Sequence, residues 1–439
     1  MPSNDIPSIN RSKAGPRALQ AFYQQRNALA ALQVFQQEVG DIFQLSLPGF
    51  KPVVVAGPEA AHCVLVSERE QMSWRPEGDP VARLLRQGLL VVDGELHDTL
   101  RRQMLPALQK AQLPNYAEAM VSCTDQVTHG WGESGVFDML DEMRRVALLI
   151  FMQTLFNVDF ISDIDRLWPA ILRLLTYISP GMWIFIPGKP RPGYSAEIRL
   201  VDEYLYRIIR QRRVGAGMAG DLLSLLVSTP GMDDGLVRDQ LLTMLIAGHD
   251  TSTANLAWCL YLLGTHPQVY RQARDEVDGA LATDPPAIAD LERLPYLEQV
   301  TQEALRLYPP IHTGMRFTTS DVEMLGCTLP ADSRLMYSIY LTQHMERHWP
   351  DPERFDPERF SLEGKRDRQP YTYLPFGGGP RNCIGSAFAR VEVRLILARL
   401  LQTFDFTWEQ SRVHPYMGAT LEPRPGVPLR VQRRRRTPA

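Results

Sequence analysis

Cysteine is scarce in this chain of 439 residues: there are five, Cys63, Cys123, Cys259, Cys327 and Cys383, an odd number without a CxxC pair. Such scattered single thiols exclude a disulfide framework and a zinc site, and they point to a reducing, cytoplasmic compartment. A surplus of charge is missing too, since 47 Lys and Arg face 50 Asp and Glu. No global electrostatic case for binding nucleic acid exists. The first residues, MPSNDIPSINRSKAG, have no charged-then-apolar signal pattern. The longest apolar run, VALLIFMQTLF at 146–156, is about half of the ~20 residues a spanning helix needs. With no repeat and no low-complexity linker, one domain over 1–439 is expected, soluble or at most peripheral to a membrane.

What is present is an ordinary globular composition, 44% hydrophobic and 22% charged, in a chain long enough to bury a core. The segment DIFQLSLPGFKPVVVAGPEAAHCVLV reads as two short strands around a Pro48-Gly49 turn, then a helix opening after Pro58. From about residue 140 to 307 apolar positions recur every three or four residues, as in VRDQLLTMLIAGHDTSTANLAWCLYLL. Strand-like pieces return over about 313–340, including DSRLMYSIYL, and a proline-rich meander, HWPDPERFDPERF, follows. The expected fold is mainly α with small β-sheets (α+β): a β-rich part at about 40–90, a helical core at about 91–310, and a C-terminal sheet, meander and glycine-rich loop at about 311–439.

That loop reads PFGGGPRNCIG at 375–385. Glycine runs are unfavourable in packed elements unless the chain must turn sharply or something must approach its backbone. Cys383 stands at the start of an apolar helix opening near Ser386, where unsatisfied amides and the helix dipole favour a thiolate. A buried structural thiol is the plain reading of a lone cysteine, and it suits the other four. Around Cys383 the glycines let the backbone lie flat against a planar ligand, and a soft thiolate suits haem iron.

The stretch FGGGPRNCIG resembles the haem-binding loop of the cytochrome P450 monooxygenases, FxxGxRxCxG, with every fixed position met by Phe376, Gly379, Arg381, Cys383 and Gly385. The resemblance implies the P450 fold, a triangular prism with haem b (iron protoporphyrin IX) between a long central helix and the cysteine helix. It implies that Cys383 is the axial iron ligand, and that Phe376, Gly377, Gly385 and Ala247 lie against the haem. Ala247-Gly248-His249-Asp250-Thr251 matches the family's (A/G)Gx(D/E)T pattern. There the helix opens a groove, Thr251 hydrogen-bonds dioxygen, and Asp250 relays the protons needed to break the O–O bond. A solvent-facing N-cap near Asp250 is the plainer alternative, and a satisfied neutral histidine is the plainer reading of His249.

Glu303 and Arg306 share a helical face, and with Arg359 they resemble the family's buried structural triad; Arg354, in the repeated PERF, competes for the third place. His97 and Arg101 in GELHDTLRR, with Arg316 and Arg381, would hold the haem propionates, since buried carboxylates need cationic partners. Ordinary surface charges are the alternative for any one of them. By family position Leu89, Leu90, Ala247, Thr251, Ile311, His312, Thr313, Met315 and Met417, in the turn 417–420, should line a pocket for a lipophilic molecule such as a terpenoid, fatty acid or polyketide.

The 56 residues after Cys383 leave no room for a fused reductase, so electrons would come from a ferredoxin or flavodoxin-type donor with its own reductase. Arg102, Lys110 and Arg390 are candidate docking cations; the run at 433–436 reads as solvated charge. Five apolar residues at 182–186, between Pro-Gly turns and flanked by Lys189 and Arg191, read either as core or as a greasy lip touching membrane. The expected activity is oxygen insertion with dioxygen. A peroxide-using or isomerising haem-thiolate enzyme and a non-enzymatic haem sensor are the alternatives, and the Asp250-Thr251 pair argues against both.

Overall fold

The computed structural model describes residues 5–9, 13–75, 79–181, 191–215, 220–281, 284–409 and 411–435. Its axis is a 32-residue central helix, Asp234–Thr265, opened by Asp233, whose carboxylate accepts from Leu236 N at 2.7 Å. Buried residues occupy every side of it, so it is an interior helix rather than an amphipathic surface one. The helix Met139–Leu155, which contains the long apolar run, packs along it. Gly248 permits that closeness: a Cβ there would lie 2.5 Å from the Phe151 ring. The cysteine helix, Ser386–Thr403, packs against the central helix from another side. Among the described residues no helix is long and apolar enough to cross a membrane.

The largest sheet runs in the order Ile42–Gln44, Val53–Val55, Arg334–Ser338, Thr313–Thr318, Met72–Ser73. The expected hairpin is its edge, with Ile42 opposite Val55 and the turn carried by Gly49 at φ 71°. Two helices, Gly15–Gln25 and Ala28–Val39, precede it and were not expected. Asn27 starts the second, its Oδ1 accepting from Leu29 N at 3.0 Å.

Two further expectations are corrected. DSRLMYSIYL is a strand only as far as Ser338, whose hydroxyl then caps the helix Ile339–Gln343 by accepting from Leu341 N at 3.1 Å. The basic run is not simply solvated. Arg433 closes the strand Pro428–Arg433, and Arg434, 11% exposed in its side chain, pairs with Asp278 at 2.6 Å and donates to Leu401 O at 2.8 Å. Arg436 lies outside the described residues.

Candidate functional site

The glycine loop is shaped by left-handed backbone at Gly377 (φ 68°) and Gly379 (φ 65°), conformations that strain residues with a Cβ. A Cβ on Gly379 would also collide with the Leu65 carbonyl. Cys383 N donates to Phe376 O at 2.9 Å, closing the loop on itself just before the cysteine helix begins at Ser386. The Cys383 side chain has open surface although the residue sits deep in the protein, the combination found on the wall of an internal cleft. Burial raises its thiol pKa, and the Gly385 amide, Arg101 and Arg390 oppose that shift without overcoming it.

Between Val237 and Leu260 the central helix is buried except at Ala247, Gly248 and Thr251. These positions share one face. An interior helix keeps accessible surface only where it borders a cleft, and this stripe supplies that border. The helix runs through this stripe unbroken. The Thr251 hydroxyl donates to Ala247 O at 2.8 Å, and the groove comes from the smallness of Ala247 and Gly248.

Asp250 is buried, not a solvent-facing cap. Its Oδ2 accepts from the Thr420 hydroxyl at 2.8 Å, while Oδ1 has no hydrogen bond and lies 3.9 Å from Arg144 Nε. Arg144, on Met139–Leu155, also pairs with Glu422, which Arg424 engages at 2.8 Å. His249 is satisfied through Nδ1 and Leu245 O at 2.6 Å, and burial holds its pKa below the usual value.

The four expected anion-binding cations converge. Arg316 is buried, stacks 3.7 Å from the Trp74 ring centroid and has no carboxylate partner among the described residues. Arg381 approaches the same ring at 4.5 Å and pairs with Asp93. Arg101 grips Asn382 through its carbonyl O (2.8 Å) and Oδ1 (2.6 Å). His97 is buried beside Asp98 (2.9 Å), and burial lowers its pKa, with Asp98 opposing. A guanidinium buried without a counter-ion is unfavourable unless an anion joins it. The cleft, the accessible thiol and this cation set fit a haem with its two propionates.

Behind the loop, Arg306 and Glu303 form a fully buried two-pronged pair at 2.7 and 2.8 Å. Arg359 Nε approaches Glu303 at 3.4 Å, whereas Arg354 contributes only its carbonyl. Gln343 extends the network, donating to Leu305 O and Arg306 O and accepting from Leu374 N just before the loop.

Leu89 and Leu90 are set against the central helix because Gln240 and Asp239 bond the backbone of 87–89 and Gly88 leaves room for Thr243. Thr313 and Met315 lie partly buried on one strand, and Met417 beside Thr420; Ile311 is 41% exposed and His312 buried. Arg102 is exposed, and Arg390 lies over the Phe376 ring at 5.0 Å. Residues 182–186 and Lys189 lie outside the described residues; Arg191 is tied to carbonyls at the end of Ile164–Ile178, including Thr176 O at 3.0 Å.

Sequence reasoning overlooked Trp74, Gln343, the Arg144–Glu422 pair and Glu392. Glu392, fully buried on the cysteine helix, accepts from Ser252 next to Thr251, and burial pushes its pKa up to about 8, so it is largely protonated at neutral pH. An acid inside the apolar run FARVEVRLILARLL was its one visible signal.

Residues 17–428 match the profile of the cytochrome P450 family. Cyclooctat-9-en-7-ol 5-monooxygenase of Streptomyces melanosporofaciens is 33% identical over 403 residues, covering 87% of this chain and 84% of that protein. A retinoic acid-bound cyanobacterial CYP120A1 superposes with a TM-score of 0.85 at 26% identity, covering 94% and 96% of the two chains. The haem domain of cytochrome P450DA gives 0.86 at 26% identity over 98% of each. A match across nearly the whole length makes this chain a member of the cytochrome P450 family, a haem-dependent monooxygenase.

Proposed function

We propose that this protein carries haem b ligated by Cys383 and hydroxylates or epoxidises a lipophilic cyclic molecule of terpenoid type. The observation that carries this reading is the accessible Cys383 thiol in a fold whose interior helix, between Val237 and Leu260, is open only at Ala247, Gly248 and Thr251. Haem, when bound, supplies the redox chemistry of dioxygen activation. His97, Arg101, Arg316 and Arg381 would hold its propionates. Thr251 presents its hydroxyl at the cleft, and Asp250 behind it passes protons inward. The apolar lining of Leu89, Leu90, Ile311 and Met315 favours a lipophilic substrate, as do the cyclic alcohol in the Streptomyces relative's name and the retinoic acid of the structural neighbour. The whole chain as single domain, in the cytoplasm, belongs to the same reading.

Substrate C–H, dioxygen, two electrons and two protons give C–OH and water. Incubation under 18O2 with a surrogate ferredoxin and its reductase is therefore expected to place one 18O in each product molecule. Unlabelled product would contradict the reading. A ferredoxin or flavodoxin-type donor docks where Arg102, Lys110 and Arg390 give positive charge near the cysteine loop. The rate of haem reduction by an acidic ferredoxin should fall as ionic strength rises, and further in Arg390→Glu. A rate indifferent to both would remove the docking assignment.

A further inference from the structure

His312 does more than line the cleft. Pro310 O accepts from Leu421 N at 2.8 Å, and Thr420, the residue before Leu421, holds Asp250. Tyr340 N donates to His312 O at 3.0 Å, and Thr313 pairs with Ser338. The segment 310–313 is thus fixed beside the acid of the central helix, and Ile311, 41% exposed, shows that it borders open space.

Next to Ile311 the sequence puts a polar ring. His312 is 8% exposed; its Nδ1 pairs with Thr313 Oγ1 at 3.0 Å, and no hydrogen bond reaches Nε2 among the described residues. Nε2 is not a sealed atom, in contrast to the buried, unpaired Nε2 of His344. A deeply placed polar atom without a partner is unfavourable until a ligand supplies one. Burial lowers the His312 pKa to about 4, so the ring is neutral near pH 7 and offers no charge to a carboxylate. Its tautomer decides whether Nε2 donates or accepts. A hydroxyl matches either state, a carbonyl only one, a hydrocarbon neither.

We propose that His312 is a specificity residue whose Nε2 hydrogen-bonds a hydroxyl already present on the lipophilic substrate. The protein then acts on an alcohol, and an earlier oxygenation or hydration must supply it. This rests on the reading of 311–315 as pocket wall.

The test compares cedrol with the hydrocarbon cedrene, by equilibrium dialysis and by the haem difference spectrum. The unaltered holoprotein should bind cedrol at least tenfold more tightly, because a site built to pair a hydroxyl rejects the analogue lacking it. His312→Phe should bring the two within about twofold, and His312→Gln, which keeps a donor and an acceptor, should restore part of the difference. Equal affinity in the unaltered protein, or a preference that survives in His312→Phe, overturns the proposal. Either result alongside a normal carbon-monoxide spectrum leaves the haem-thiolate reading standing, whereas loss of that spectrum in the unaltered protein would defeat the reading itself.

Discussion

Replacing Glu303 with alanine should leave a chain that holds little or no haem and unfolds at a far lower temperature. Arg306 would keep its place in the interior, with no exposed surface, but would lose both bonds to a carboxylate. Its remaining contacts, to Gln343 O at 3.0 Å and Arg354 O at 3.2 Å, are to neutral carbonyls. Breaking a buried pair in this way costs about 3–5 kcal/mol, against a total stability of roughly 5–15 kcal/mol for a domain. Asp356 N would lose its acceptor at 3.1 Å as well, loosening the meander that leads to the cysteine loop. Arg359→Lys should be milder, since Arg359 stands 3.4 Å away and is partly exposed. Thermal unfolding and haem content of purified variants decide the matter. A Glu303→Ala protein that melts within a few degrees of the parent would show that the pair is not what supports the loop.

Asp250→Asn and Thr251→Ala should behave in the opposite way, folding and holding haem while losing the use of their electrons. Neither side chain belongs to the cation set or the loop. Thr251 donates to Ala247 O in a helix that is continuous with or without it, and Asp250→Asn keeps an acceptor for Thr420. What each removes is proton handling. General acid–base groups contribute typically ~10²–10⁴-fold, so product formation should fall by about a hundredfold while nicotinamide oxidation continues and the surplus appears as peroxide and water. Product per reduced nicotinamide is the quantity to measure. Unchanged coupling in both variants would sink the proton-handling assignment, and attention would pass to Glu392, protonated and bonded to the neighbouring Ser252.

The parts of the site that the sequence disclosed are those whose chemistry is local. Gly377, Gly379 and Cys383 fall within seven residues because one turn must present one thiol. Ala247 to Thr251 occupy little more than one helical turn, and Glu303 and Arg306 are three residues apart. The parts it hid are assembled by packing across the chain. Trp74 meets Arg316 and Arg381 only because the strand Met72–Ser73 closes the large sheet beside Thr313–Thr318. Arg144 reaches Glu422 across 278 residues. The same physics explains a misread element: Ser338 carries an alternating pattern into a helix because its hydroxyl can cap one.

The account stands on Cys383 as the iron's thiolate ligand, and the absorption spectrum of the reduced, carbon-monoxide-bound protein tests it most directly. The unaltered protein should show the red-shifted band that thiolate ligation produces, and Cys383→Ser, with haem content checked independently, should lose it. A Cys383→Ser protein that keeps the red-shifted band would contradict the central claim.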